Sequence, residues 1–258
     1  MFHLPVTGVL VEVRPFTGAE DMLLLESGGH PVEISIALVD RLARRADGAE
    51  LDTLNLPVSD LEALVLQLRS ELLGDQVLTH GKCAVADCGA QTDISFRIRE
   101  YLWHYRPRSA RNAQPIEREP GWYALCGTDL QFRLVTAEDV LATKDLRDAE
   151  TELARRTIRP RSASRSDVRR VQKAMEVLAP PLTQELEGTC PACGSRSRFF
   201  FNPQIFVQQE LRYEAAFLYE DVNLLAQRYH WPEEKILSLP RMRRLHYAEL
   251  AMRQGVAD

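Results

Sequence analysis

The order of apolar and polar positions divides the first third of the chain into one extended stretch and three helices. Residues 4–16 read as extended, because Val9, Val11 and Val13 alternate with Leu10, Glu12 and Arg14 until Pro15 ends the run. Thr17 or Gly18 then caps a short helix, with Glu20 and Asp21 in its first turn and Met22 to Leu25 as its apolar part. A second helix is predicted over 31–46. Ile34, Ala37, Leu38 and Leu42 share one face, and Arg41, Arg44 and Arg45 gather near its end. A third, over 58–73, sets Leu61, Leu64, Val65, Leu68 and Leu72 at helical spacing and is closed by Gly74. Ser59-Asp60-Leu61-Glu62 at its start has the form of a capping box.

Shorter, strand-like runs follow. Val77 to His80 and Asp93 to Ile98 flank a turn from Cys83 to Gly89. Residues 106–121, rich in Pro and Arg, lack periodicity and read as a surface loop. Trp122 to Leu125 and Gln131 to Leu134 then form a hairpin around Gly127-Thr128-Asp129. Thr136-Ala137-Glu138-Asp139 opens a helix with a second capping box. From 145 to 180 the pattern is charged and helical, broken by Pro160 and a Ser-rich segment into what reads as a mobile link. Leu182 to Glu187 and Ser197 to Phe201 repeat the strand–turn–strand plan around Cys190 to Gly194. Pro203 starts a long helix to about Tyr229, and two more begin at Trp231-Pro232-Glu233-Glu234 and at Pro240.

The two turns carry the chemistry. Lys82-Cys83-Ala84-Val85-Ala86-Asp87-Cys88-Gly89 and Thr189-Cys190-Pro191-Ala192-Cys193-Gly194 each place two cysteines in a knuckle that ends in glycine. Two thiolates from one tight turn can fill two corners of a tetrahedral metal, and two such knuckles fill four. The reading is therefore a structural zinc held by Cys83, Cys88, Cys190 and Cys193, in a ribbon whose halves lie far apart in sequence. Two unrelated pairs of thiols, or a mixed site drawing on His80 or Cys126, are the other readings. Cys126 by itself reads as a small buried hydrophobe. Four thiolates close the coordination shell, whereas a catalytic zinc keeps a position open.

Composition narrows the picture. The 258 residues, 45% hydrophobic and 27% charged, are ample for a packed core. A net charge of −5 argues against a general nucleic-acid binder. No apolar run is long enough to span a bilayer, and the first residues lack a signal-peptide pattern, so the expected location is the cytoplasm. Thiols there stay reduced, which favours metal ligation over disulfides. No phosphate loop, dinucleotide fingerprint, His-Glu-x-x-His or Gly-x-Ser-x-Gly motif occurs, and the six histidines are scattered, so neither a catalytic site nor a small-molecule substrate is expected. The arginine-rich stretch 155–170 reads either as a solvated link or as a contact for nucleic acid or an acidic partner; it lacks interleaved aromatics.

Several segments resemble a known family. They are Leu4-Pro5 followed by Val11-Glu12-Val13-Arg14-Pro15-Phe16-Thr17-Gly18-Ala19-Glu20; Cys190-Pro191-Ala192-Cys193-Gly194 with Phe199 to Phe206; Tyr229-His230-Trp231; and Ile236-Leu237-Ser238-Leu239-Pro240 before Arg243-Arg244-Leu245-His246-Tyr247. Together they resemble the baseplate assembly proteins of T-even-like phages and related contractile injection systems. The likeness is strongest at 4–20 and 183–250. It departs in the wider gap between Cys83 and Cys88 and in the arginine-rich stretch. It implies a non-enzymatic role in assembling the baseplate, with hub and spike proteins of the contractile tail as partners, and incorporation into a phage-like particle as an option. Tyr213, Phe217, Tyr229 and Trp231 are the candidate partner-binding residues, against core packing as the default.

The expected fold is α+β, mostly helical, with a small zinc ribbon formed from two sequence-distant cysteine pairs. Three regions are expected: 1–76, a strand plus helices; 77–202, the ribbon with an inserted hairpin and helices; and 203–258, helical. The second functional reading, from another class, is a zinc-ribbon nucleic-acid-binding regulator. A third is an enzyme whose site assembles only in three dimensions.

Overall fold

In a computed structural model, which describes residues 1–83 and 85–255, the chain forms two compact units. Helix accounts for 46% of the chain and strand for 20%, so the class is α+β.

The first unit combines Val11–Leu51 with the chain from Gln204 onward. Thr17 caps the helix Gly18–Glu26 in a complete capping box with Glu20, and Arg14 pairs with the same Glu20 carboxylate at 2.6 Å. The helix Pro31–Leu42 starts from His30, whose ring nitrogen accepts the Val32 N–H, and it stops before the predicted end. Ala43–Arg45 leaves the helix to pair antiparallel with Leu10–Val13, so Arg41 lies in the last helical turn as expected while Arg44 and Arg45 lie in a strand. The helix expected from Pro203 to Tyr229 is in fact two, Pro203–Glu214 and Leu218–Tyr229. The break falls at residues 215–217, where Leu218 N–H returns to Ala215 O. No helix breaker marks that place, so periodicity alone runs through it. Glu233–Leu237 and Arg241–Gly255 follow as predicted.

Four charged side chains hold this unit together in its interior. Asp21 is fully buried and accepts from Arg241 Nε at 3.0 Å and Arg244 Nη2 at 2.8 Å. Arg244 also reaches Asp221 at 3.2 Å through Nε. The network joins the helix Gly18–Glu26 to two C-terminal helices that are remote from it in sequence. Gly18 leaves room for it, since a Cβ there would lie 2.9 Å from both Arg244 Nη1 and the Leu237 backbone.

The second unit combines Phe2–Leu10 with Asp52–Pro203. Its central helix, Val58–Leu73, is buried on nearly every side over its first three turns. The expected capping box does not form. Pro57 stands at the N-cap without a side-chain hydrogen bond, and the polar residues of the first turn bind other segments instead. Asp60 accepts the N–H groups of Val6 and Thr7 at 2.7 and 3.0 Å. Ser59 donates to Pro180 O at 2.8 Å, and Glu62 accepts from Leu182 N–H and the Thr183 hydroxyl at 3.0 and 2.8 Å. Buried polar groups need partners, and here the partners are the N-terminal segment at Val6 and Thr7 and the chain entering the second hairpin at residues 180–183.

In the stretch 106–180 the predicted hairpin of Trp122–Leu125 and Gln131–Arg133 forms, as do the helices of the charged region, but Ala113–Pro115 in the expected loop and Ile158–Arg159 in the expected link are strands. Ala113–Pro115, Trp122–Leu125, Gln131–Arg133 and Ile158–Arg159 form one four-stranded antiparallel sheet. The helices Ala149–Thr157 and Arg165–Leu178 flank its last strand, and Leu125, Phe132, Ile158, Val171 and Ala174 share a core. The arginine-rich link is thus part of a folded layer: Ile158 pairs with Phe132, and a proline with serines at the turn looks like a linker in sequence only because its partners are remote.

Asp139, on the helix Ala137–Thr143 that Thr136 caps, ties this layer down. It accepts from Arg133 Nη2 and Arg156 Nε, both at 2.8 Å. Burial alone would raise its pKa; the hydrogen bonds from Arg133, Arg156 and the Thr136 N–H outweigh that and hold the carboxyl well below the usual carboxylate range. Its stabilising contribution is therefore complete above about pH 4, the unfolded value, and is lost as the pH falls toward the lowered folded value. Asp139→Asn is expected to cost about 2 kcal/mol at neutral pH. Thermal melts at a series of pH values check this, because the gap between variant and wild type should close in strong acid.

Candidate metal centre

Two antiparallel hairpins carry the four predicted ligands. Gln76–Lys82 pairs with Gln91–Arg97, and Gln184–Thr189 pairs with Arg196–Phe201. Alternating side chains favour both pairs, and each hairpin turns through a cysteine knuckle at the same end. The knuckles are built alike. Cys83 N–H donates to Ala90 O and Cys190 N–H to Ser195 O, each at 2.9 Å, closing the two loops. Gly89 and Gly194 follow the second cysteine of each knuckle in the left-handed region, with φ of 53° and 69°, a conformation a side chain would resist.

Phe96, Tyr101 and Phe201 fix the far end of the hairpins. Their rings pack with centroids 5.2–5.3 Å apart, and the buried Tyr101 hydroxyl donates to Leu182 O at 2.6 Å. Nearer the knuckles Gly81 lies against Phe199; a Cβ there would stand 3.2 Å from the ring. Tyr101 belongs to the helix Ile98–His104, which the strand-like reading of Asp93 to Ile98 did not anticipate.

All four Sγ atoms lie within 4.8 Å of one another. Two approaches cross between the hairpins: Cys83 to Cys193 at 3.7 Å and Cys88 to Cys190 at 3.8 Å. A tetrahedron with metal–sulfur bonds of about 2.3 Å has edges of about 3.8 Å. A disulfide would need about 2.05 Å, and all five cysteines are free. The donor set therefore fits one four-coordinate metal ion. His80 and Cys126 are not in the cluster, and Cys126 is exposed, not buried as its sequence context suggested.

The second knuckle also favours thiolate. The backbone N–H groups of Cys193 and Ala192 point at Cys190 Sγ and hold its pKa at about 6. Ser195, through its hydroxyl and its N–H, lowers that of Cys193. Cys190 is completely buried, Cys83 nearly so, and Cys193 is exposed.

The four aromatic residues considered for partner binding fall into two kinds. Tyr213 and Phe217 stand 79% and 70% exposed around the break between two helices. Tyr229 and Trp231 are half-buried, stacked at 5.0 Å beside Tyr247, over a small core of Leu225, Ile236 and Ala251. The charged networks at Asp21 and Asp139 were not foreseen as sites of any kind. Their one visible signal in the sequence is an acidic residue in a helix first turn, which dipole arguments already explain.

No described helix is long and apolar enough to cross a membrane. No curated protein and no solved structure matches the chain. A family model described as T4 bacteriophage base plate protein matches residues 1–160. The match takes in the N-terminal segment, the first cysteine pair and the four-stranded sheet, and ends before the second pair. It covers well over half of the chain, which belongs to the T4 bacteriophage base plate protein family.

Proposed function

We propose that this protein is a non-enzymatic assembly factor or minor component of the baseplate of a phage-like contractile tail, with a structural zinc ion bound by Cys83, Cys88, Cys190 and Cys193. Membership of the base plate family carries the first half of this reading. Hub and spike proteins of the same tail are its natural partners, and the exposed Tyr213 and Phe217 are suited to dock on them. The thiolate set carries the second half. Four sulfurs at tetrahedral spacing suit zinc, leave no open position for a substrate or water, and make the ion a staple between two hairpins. The geometry fits a zinc ribbon whose halves are separated by a folded insertion.

Co-expression tests the assembly role. The tagged protein, produced with hub and spike proteins of a contractile tail from the same source, is expected to co-purify with at least one of them in stoichiometric amount. Retention of none, with all partners soluble, would remove the assembly reading.

A further inference from the structure

Residues 155–170 carry seven arginines and one carboxylate. That is a balance of +6 in a chain whose total is −5, leaving −11 on everything else. The fold concentrates this charge. Two adjoining clefts, of about 690 and 500 Å³, share Arg155, Ile158 and Arg161 in their walls. The first adds Arg165 and Arg169 from the next helix; the second adds Arg133, Arg156 and Arg159, with Trp122 beside them.

These arginines are of two sorts. Some are already held in place: Arg133 and Arg156 by Asp139, and Arg159 by Glu119 at 2.7 Å and by the Trp122 ring 3.6 Å below its guanidinium. In contrast, the side chains of Arg161, Arg165 and Arg169 have no ion pair or hydrogen bond among the described residues. Free guanidinium groups along a concave wall, beside a rigid arginine–tryptophan stack, focus a positive potential with donors to spare.

We propose that this double cleft binds an extended acidic segment of a partner protein. For the partner's identity the proposal rests on the assembly reading above; for its chemistry it rests on the cleft. Every cation in the walls is arginine, whose planar fork takes carboxylates two bonds at a time. Asp148, Glu150 and Glu152 interrupt the positive wall. A continuous row of phosphates would meet them as like charges, whereas a peptide can set carboxylates on the arginines and pass the gaps with neutral residues. Arginine and tryptophan together are also what protein interfaces enrich at their anchors.

Titration of the full-length protein with a fluorescein-labelled oligoglutamate peptide, and separately with single-stranded DNA of matched charge, tests the assignment. The peptide is expected to bind in a salt-sensitive manner and more tightly than the DNA. Arg161→Glu, Arg165→Glu and Arg169→Glu combined should weaken peptide binding tenfold or more. Arg243→Glu, an exposed charge reversal in the other unit, should leave it unchanged. Equal peptide affinity in wild type and triple variant, or no peptide binding at all, overturns the proposal; so does tighter binding of the DNA, which would make the cleft a nucleic-acid site. Because the three arginines are exposed and make no ion pair or hydrogen bond among the described residues, the melting temperature of the triple variant should match wild type, and a fall in it would show that they stabilise the fold instead. Co-purification separates the two readings. If wild type and triple variant retain the baseplate proteins equally, the assembly reading stands and the cleft is not its contact. If neither protein retains them, the assembly reading fails, and the peptide titration still decides the cleft.

Discussion

Replacing Cys190 by serine is expected to strip the protein of its metal and lower its melting temperature by about 10 °C. The sulfur is completely buried and held toward thiolate by two backbone N–H groups, so a serine there loses a ligand and leaves those donors facing a poorer acceptor. Structural zinc sites contribute on the order of 10 kcal/mol in small domains. Losing one ligand of four at a cost of about 4 kcal/mol corresponds to about 8–16 °C for a chain of this size. Elemental analysis of the purified wild type should find about one zinc per chain. No zinc, together with four freely titratable thiols, would end the metal assignment, and an unchanged melting curve for the variant would end the claim that the site is structural.

The second large effect belongs to Asp21. Asp21→Ala should destabilise the protein by about 3–5 kcal/mol, because it leaves Arg241 and Arg244 buried and charged without their shared carboxylate. Arg244 is 1% exposed and cannot turn outward to water. Asp21→Asn keeps the shape and one acceptor and should cost less. Chemical denaturation of the three proteins checks the order. A loss below about 1 kcal/mol for Asp21→Ala would mean that the guanidinium groups find water after all.

The cysteine cluster was legible in sequence because each half of it is local: a knuckle is a few residues long, and its glycines announce the turn. The helix cap at Thr17 and the capping box at Thr136 were legible for the same reason. Ser59, Asp60 and Glu62 show the limit of such patterns. The residues are right for a cap, yet more distant partners, at Val6, Pro180 and Leu182, took their hydrogen bonds. The pairing of Asp21 with Arg241 spans 220 residues, and nothing near either one signals it. Residues 155–170 were misread for a related reason. A two-residue strand is too short to show a period, and Ile158 shows its place only once Phe132 stands beside it. Base plate family membership, in turn, was legible as a resemblance and agrees with the family match.

The separation of the paired thiols sets an order of events during synthesis. Cys83 meets Cys193 across 110 residues, and Cys88 meets Cys190 across 102. While the ribosome is still making the inserted sheet and helices, the first hairpin holds only half a coordination shell, a weak and exchangeable metal site. The proposed shell could close only when residue 193 emerges, and the inserted layer would then be enclosed in a loop whose tethering alone removes about 5 kcal/mol of unfolded-chain entropy. A metal ion bound as proposed would thus act as a late latch: it would report that the enclosed layer has been completed, and a chain truncated before Cys190 could not engage it.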